Sequence, residues 1–98
     1  MAIEVQKQYR HLEAHPGSNY RQLFLKGRRI RVDLVYQDTH GPDAYTPETW
    51  AENYQVPLEA VLEALDYVEQ NQPVIQADRD REAARLRARG LLNGPPSR

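Results

Sequence analysis

The stretch that most constrains the fold runs from Thr46 to Asn71. Thr46 is a favourable N-cap residue, and Pro47 suits the first helical position because its missing N–H would have no partner there. The helical spacing of the apolar residues ends near Gln55, and Pro57 then allows a second helix to begin. The sequence therefore predicts two helices joined by about three residues, with the second helix the longer.

The second predicted helix carries apolar residues at intervals of three and four, which is the spacing of one buried helical face. These residues are Leu58, Val61, Leu62, Leu65 and Val68. Two helices joined in this way form the helix-turn-helix of many DNA-binding proteins, but they also pack three-helix domains that never touch nucleic acid. The spacing alone leaves both interpretations open.

Length and composition indicate one small domain. The chain has 98 residues, a hydrophobic fraction of 40% and a mean hydropathy of -0.82, so its core is small and a partner is expected. The absence of cysteine excludes disulfides and thiolate zinc sites. No apolar run approaches the ~18 residues of a membrane span, and the N-terminus lacks the apolar stretch of a signal peptide. We therefore expect a soluble, cytoplasmic protein.

The charges are unevenly distributed although the formal net charge is only -1. Residues 1–31 hold seven Lys or Arg against two Glu, residues 32–78 hold ten acids and no Lys or Arg, and residues 79–98 hold six Arg against two acids. Such asymmetry says little about the fold, but it indicates which surfaces meet polyanions and which meet cations. Both ends of the chain are candidates for contact with polyanions.

The N-terminal part predicts a short extended piece at Tyr9–Ala14 and then a β-hairpin. His15-Pro16-Gly17 ends the extended piece. Leu23–Leu25 forms the first arm of the hairpin, Lys26-Gly27 the turn, and Arg28–Val32 a second arm that alternates basic and apolar residues. A short helix over Asp33–Thr39 should follow.

The predicted hairpin concentrates positive charge. Ile30 and Val32 should face the helices, which leaves Arg29 and Arg31 on the opposite face of the arm. Cations on a rigid ribbon suit phosphate binding, although Lys and Arg also protect strand edges from unwanted pairing. The candidate DNA-binding residues are Lys26, Arg28, Arg29 and Arg31.

A further helix is predicted from Pro73 to Gly90, where proline suits the start and glycine lies beyond the end. Its first turn can dock, whereas the rest should project into solvent and form helical ion pairs such as Asp78 with Arg81. Arg81, Arg85 and Arg89 share one face at four-residue spacing. We therefore predict a folded domain over residues 1–72, a projecting helix over 73–90 and a disordered tail over 91–98.

No catalytic, metal or cofactor site is indicated. His11 and His15 have the spacing of zinc ligands on a helix, but proline and glycine break that helix and no third ligand is near. There is no cysteine nucleophile, Ser-His pairing or glycine-rich phosphate loop. We expect a protein that is not an enzyme and has no cofactor.

Two short motifs resemble the domain-of-unknown-function family 433. They are G-x-R-I-x-V, present as Gly27, Arg29, Ile30 and Val32, and V-x-x-A-L-x-Y, present as Val61, Ala64, Leu65 and Tyr67. The resemblance covers about Tyr9 to Arg81. It implies a mainly α fold with an N-terminal β-hairpin and a homeodomain-like or winged-helix-like helix-turn-helix. It also implies kinship with VapB-type antitoxins, a neighbouring PIN-like ribonuclease toxin, and a homodimer.

The distribution of charge indicates which parts of the chain would bind DNA and which would bind the toxin. The second helix carries four acids and no cation, so phosphates should repel it and the basic hairpin should hold operator DNA instead. The C-terminal helix would neutralise the toxin, with Arg85 or Arg89 pairing with the carboxylates of the nuclease. The toxin-binding candidates are Arg81, Arg85, Leu86 and Arg89. A stand-alone DNA-binding regulator and a structural adaptor that binds a basic protein remain alternatives.

Overall fold

The computed structural model describes residues 9–90 and shows a mainly helical fold with a two-stranded antiparallel hairpin near its N-terminal end. The predicted tail over 91–98 lies outside the described residues. No helix within the described part of the chain combines the length and the apolar character needed to cross a bilayer. The elements, in order, are β1 (Leu12–Glu13), β2 (Phe24–Leu25), α1 (Val32–Asp38), α2 (Pro47–Tyr54), α3 (Leu58–Gln70) and α4 (Gln72–Ala88).

The α2–α3 pair begins and turns where the sequence predicted. The Thr46 side chain caps α2 by accepting a hydrogen bond from the backbone N–H of Thr49 at 3.1 Å. Gln55 ends α2 in the left-handed region, with φ at 57°, and Pro57 is the N-cap of α3. The connection is therefore about as short as predicted.

The buried face of α3 differs in part from the predicted stripe. Val61 and Val68 are buried as expected, but Leu62 is 48% exposed, so its assignment to the core was wrong. Leu58 and Leu65 are only partly buried against the core. Small and aromatic residues complete the buried face instead, because α3 is the central helix and its neighbours approach closely. These residues are Ala60, Ala64 and Tyr67.

The strand pairing confirms the predicted hairpin in part and adds a pairing that the sequence did not predict. The β2 strand pairs with β1, with Leu12 opposite Leu25 and Glu13 opposite Phe24, and its backbone also bonds to the predicted arm at 28–32. That arm does fold back, since the Leu25 N–H donates to the Ile30 carbonyl at 2.9 Å. Beyond one isolated bridge at Arg31 it forms no strand, because α1 begins at Val32.

A buried polar network joins α4 to the rest of the domain. Asp78 is 1% exposed and Gln22 is fully buried. The Asp78 carboxylate accepts hydrogen bonds from the backbone N–H groups of Arg21 and Gln22, and from the Gln22 side-chain amide at 3.0 Å. The Gln22 amide oxygen accepts from the backbone N–H of Asp33 at the start of α1. One glutamine therefore connects α1 to α4.

The docking of α4 extends beyond the first turn that the sequence predicted. Ile75 is buried as expected, and Arg81 pairs with Asp78 as the spacing predicted. One turn further on, Glu82 accepts a hydrogen bond from the Tyr20 hydroxyl at 3.1 Å. The last turn, Arg87–Arg89, is exposed.

We expect Asp78→Ala to lower the free energy of unfolding by about 3 kcal/mol. The change leaves buried N–H donors without an acceptor, and such donors are costly because they have lost their water. Urea denaturation followed by circular dichroism measures the loss. Asp80→Ala is the matched control on the same helix, because Asp80 is exposed and its removal should cost less than about 0.5 kcal/mol. Equal effects from both changes would contradict the anchoring role of Asp78.

Candidate functional site

Three of the four predicted DNA-binding residues form a single exposed surface. Lys26, Arg28 and Arg29 are exposed, and we call them the cationic turn. The backbone N–H of Arg28 donates to the Leu25 carbonyl at 3.0 Å and closes the turn. Gly27 sits at φ +75°, a conformation that glycine adopts without steric cost. The turn thus holds three cations close together in solvent.

The cationic turn lies against the connection between α2 and α3. An Arg28 guanidinium nitrogen donates to the carbonyl oxygen of Gln55 at 3.0 Å. That carbonyl belongs to the left-handed residue that ends α2, so the bond fixes the turn beside the start of α3. Nothing in the sequence spacing indicated this contact, because α1, a loop and α2 separate the two residues in the chain.

Arg31, the fourth candidate, has a different environment. Its side chain is 18% exposed, and its Nε donates to the Asp33 carboxylate at 3.1 Å. The guanidinium also lies over the Tyr20 ring, 4.2 Å from the centroid. Arg31 is therefore paired with a buried carboxylate and stacked on an aromatic ring, and it is not one of the exposed cations of the turn.

The toxin-binding candidates lie along α4 with increasing exposure towards its C-terminal end. Arg81 pairs with Asp78. Arg85 lies 3.4 Å from the Tyr20 hydroxyl, to which it donates, and 5.6 Å from the centre of the Tyr20 ring. Leu86 is half-buried, whereas Arg89 is exposed at the end of the helix.

Tyr20 contacts one arginine from the predicted DNA-binding set and one from the predicted toxin-binding set. Its ring contacts Arg31, which precedes α1, and Arg85, which lies near the end of α4. An arginine over an aromatic face is a favourable cation–π arrangement. Sequence analysis did not single out Tyr20, because its partners are 11 and 65 residues away and no local pattern connects them.

Two of the four α3 acids are engaged with the segment that leads into β1. The Glu63 carboxylate accepts from the backbone N–H of His11 at 2.7 Å and lies 3.1 Å from the His11 ring nitrogen Nδ1. Asp66 accepts from the Tyr9 hydroxyl at 2.9 Å. Glu63 and Asp66 therefore serve as acceptors within the domain, and their negative charge still opposes the approach of phosphates to α3.

These contacts shift the pKa values of the groups involved. Burial raises the pKa of Glu63, but the hydrogen bonds from His11 and the charge of His11 outweigh it, so the pKa lies below its ordinary value of 4.5. Burial, followed by the hydrogen bond to Asp66 and the charge of Asp66, raises the pKa of Tyr9 to about 12. Both shifts follow from the docking of the N-terminal segment on α3.

The histidines that invited a metal interpretation have different partners. His11 contacts Glu63. His15 lies 3.2 Å from a Glu13 carboxylate oxygen and stacks on the Phe24 ring at 4.3 Å. Within residues 9–90, no three side chains of the metal-binding types come together.

Comparison of the chain with protein-family models, with curated proteins and with solved structures gave no match. The resemblance inferred from the two short motifs therefore depends on those motifs alone. In the structure their residues are mostly core and turn positions: Val32, Val61 and Ala64 are fully buried. Arg29 alone among the motif residues is an exposed cation. The motifs thus specify packing, and Arg29 is their one residue suited to a charged ligand.

We expect Glu63→Gln to destabilise the protein by about 1 kcal/mol at pH 7, because the amide loses the charge-assisted bonds to His11. The folded-state pKa of Glu63 is lowered, so the carboxylate stabilises the fold above the ordinary pKa, and this contribution disappears as pH falls through the folded-state value. The difference between wild type and variant should therefore shrink below pH 4.5. Urea denaturation at pH 7 and pH 3 measures it.

The matched control for this change is Glu59→Gln, one turn earlier on α3 at an exposed position. It should leave stability nearly unchanged at both pH values. A Glu63→Gln effect of the same size at pH 3 as at pH 7 would contradict the ionised contact with His11.

Proposed function

We propose that the protein is a DNA-binding antitoxin, in which the cationic turn holds operator DNA and the exposed end of α4 neutralises a PIN-like ribonuclease. The observation that carries the proposal is the bond between Arg28 and the Gln55 carbonyl. It holds the three exposed cations beside the α2–α3 connection, which in a helix-turn-helix protein leads into the helix that enters the major groove. The antitoxin part of the proposal rests on the family resemblance and on the exposure of the C-terminal end of α4.

The DNA contact would come mainly from phosphates. Lys26, Arg28 and Arg29 carry three positive charges on a short turn, and contacts to phosphates position a protein on a duplex. The α3 helix offers no cation to a major groove, and Glu59 is exposed near its start. Base contacts would thus be few, and binding should be strongly salt-dependent. A homodimer would present two cationic turns to two half-sites.

The antitoxin contact would come from the last two turns of α4. Arg89 and Arg87 are exposed, and Arg85 makes a long hydrogen bond, at 3.4 Å, to the Tyr20 hydroxyl and lies over the Tyr20 ring. A guanidinium can pair with the carboxylates that hold the metal of a nuclease and so displace the cation. The docked half of α4, with Ile75 and Asp78 buried, would hold this end in position.

A stand-alone DNA-binding regulator is the second candidate. The contact of Arg85 with Tyr20 favours it, because that contact gives the arginine a role within the chain itself. Such a regulator would use the same cationic turn but need no ribonuclease partner. The two candidates therefore differ only in what α4 does.

Replacing Lys26, Arg28 and Arg29 together by Gln should weaken binding to a DNA fragment from upstream of the protein's own gene. Each lost phosphate contact lowers the slope of log affinity against log salt by about 0.9, so the slope should fall by about 2 to 3. Fluorescence anisotropy at several salt concentrations measures it. The control is Arg87→Gln with Arg89→Gln, which removes exposed cations elsewhere. An unchanged slope in the turn variant would refute the DNA contact proposed here.

Charge reversal of Arg85 and Arg89 to Glu should restore toxicity when the chain is co-expressed with a PIN-like ribonuclease encoded beside it. Carboxylates would be repelled by the acidic site of the nuclease, whereas guanidinium groups pair with it. Growth and RNA cleavage report the outcome, and Arg79→Glu serves as a control on the same helix. Continued inhibition by the double variant would show that the arginines of α4 do not neutralise the ribonuclease, and the stand-alone regulator would then be the better proposal. DNA binding by the cationic turn is measured separately and is not affected by this outcome.

A further inference from the structure

The loop that follows β1 forms one wall of a cleft of about 460 Å³, and α4 forms the other. The loop side is built from residues 14–21, in which Ser18 closes a turn by donating its backbone N–H to the His15 carbonyl at 2.9 Å. The α4 side is provided by Arg81. No residue of the cationic turn lines this cleft, although Arg29 lines a neighbouring concavity on the other side of the same loop.

Two arginines, Arg21 and Arg81, line this cleft, and both residues are bonded to the same carboxylate. Arg21 donates its backbone N–H to both Asp78 oxygens at 3.0 Å, and the Arg81 side chain pairs with Asp78. Both arginines also line the adjoining concavity with Pro73, Val74 and Ala77. The buried network of the fold thus holds both arginines at this cleft.

The positive charge of the cleft is not balanced from within. Asp78 is 1% exposed and contributes one negative charge against two guanidinium groups. Among the described residues that line the cleft, none is acidic. The Arg21 side chain is exposed and makes no hydrogen bond or ion pair with any residue that the structure describes. Arg81 is paired with Asp78, so the charge of Arg21 has no described acidic partner, and it favours the binding of an anion.

We infer that this cleft binds a phosphate monoester, with Arg21 and Arg81 as the groups that hold the phosphate. A phosphate monoester carries close to two negative charges at neutral pH and matches the fork of a guanidinium. The cleft volume lies within the range of about 300 to 1,000 Å³ that is usual for small-ligand sites. A mononucleotide therefore fits this space, and the shared chemistry is the terminal phosphate.

The test is a titration of the full chain with inorganic phosphate, adenosine 5′-monophosphate and adenosine, followed by amide chemical shifts in ¹H–¹⁵N NMR. Phosphate and the monophosphate should cause saturable shifts at residues 18–21 and around Arg81, and adenosine should not. Tighter binding of the monophosphate than of inorganic phosphate assigns a nucleotide to the site, and equal binding assigns a free phosphate. Shifts confined to residues 26–29 would instead place the anion at the cationic turn and overturn the inference.

Arg21→Gln is the decisive variant, because Arg21 is exposed and its side chain has no described partner to lose. We expect it to weaken phosphate binding at least about tenfold, which corresponds to about 1.4 kcal/mol. Arg21→Lys should recover part of the loss, and Arg87→Gln, an exposed arginine outside the cleft, should change nothing. Equal affinities in wild type and Arg21→Gln would overturn the inference, as would the absence of saturable binding. Neither result would bear on the salt-dependent DNA contact of the cationic turn.

Discussion

The buried Asp78 carboxylate lies where α4 meets the segment at 20–22 and, through Gln22, the start of α1. It accepts hydrogen bonds from two backbone N–H groups, one side-chain amide and one guanidinium. A buried charge is tolerable only when it is paired and fully bonded. This interaction fixes the position of α4, brings Arg21 and Arg81 together, and places Tyr20 within reach of Arg85. Each surface discussed above, apart from the cationic turn, depends on it.

The charges of the chain divide into internal and external roles. Several carboxylates are acceptors for other parts of the same domain: Asp33 for Arg31, Asp38 for the Trp50 indole N–H, and Glu63 for the N-terminal segment. Among the described residues, exposed cations lie at the turn after β2, along the end of α4, and at Arg10 and Arg21. The electrostatic character of the surface therefore differs from what the net charge of each segment suggests.

Local patterns predicted the helices well because the relevant forces act over a few residues. Thr46 caps α2 through its own side chain, Pro57 begins α3, and Gly90 follows α4 with a positive φ. The pairing of β2 with β1 and the exposure of Leu62 were not predictable in this way. Strand pairing depends on which segments meet in space, and the helical period cannot tell which flank of an apolar stripe a neighbour covers.

The sequence by itself determined the mainly helical class, the hairpin turn at Gly27 and the clustering of cations in the turn, since these follow from spacing, capping and composition. Asp78 could have been suspected, because it follows the buried Ile75 by three residues on the same helical face. Only the tertiary structure decided that Arg31 is paired inside the domain, that Glu63 and Asp66 hold the N-terminal segment, and that Arg28 reaches Gln55. The partner of Arg31 is the nearby Asp33, whose burial no local pattern indicated. The other contacts join residues far apart in the chain, and long-range pairing leaves no local signal in a single sequence.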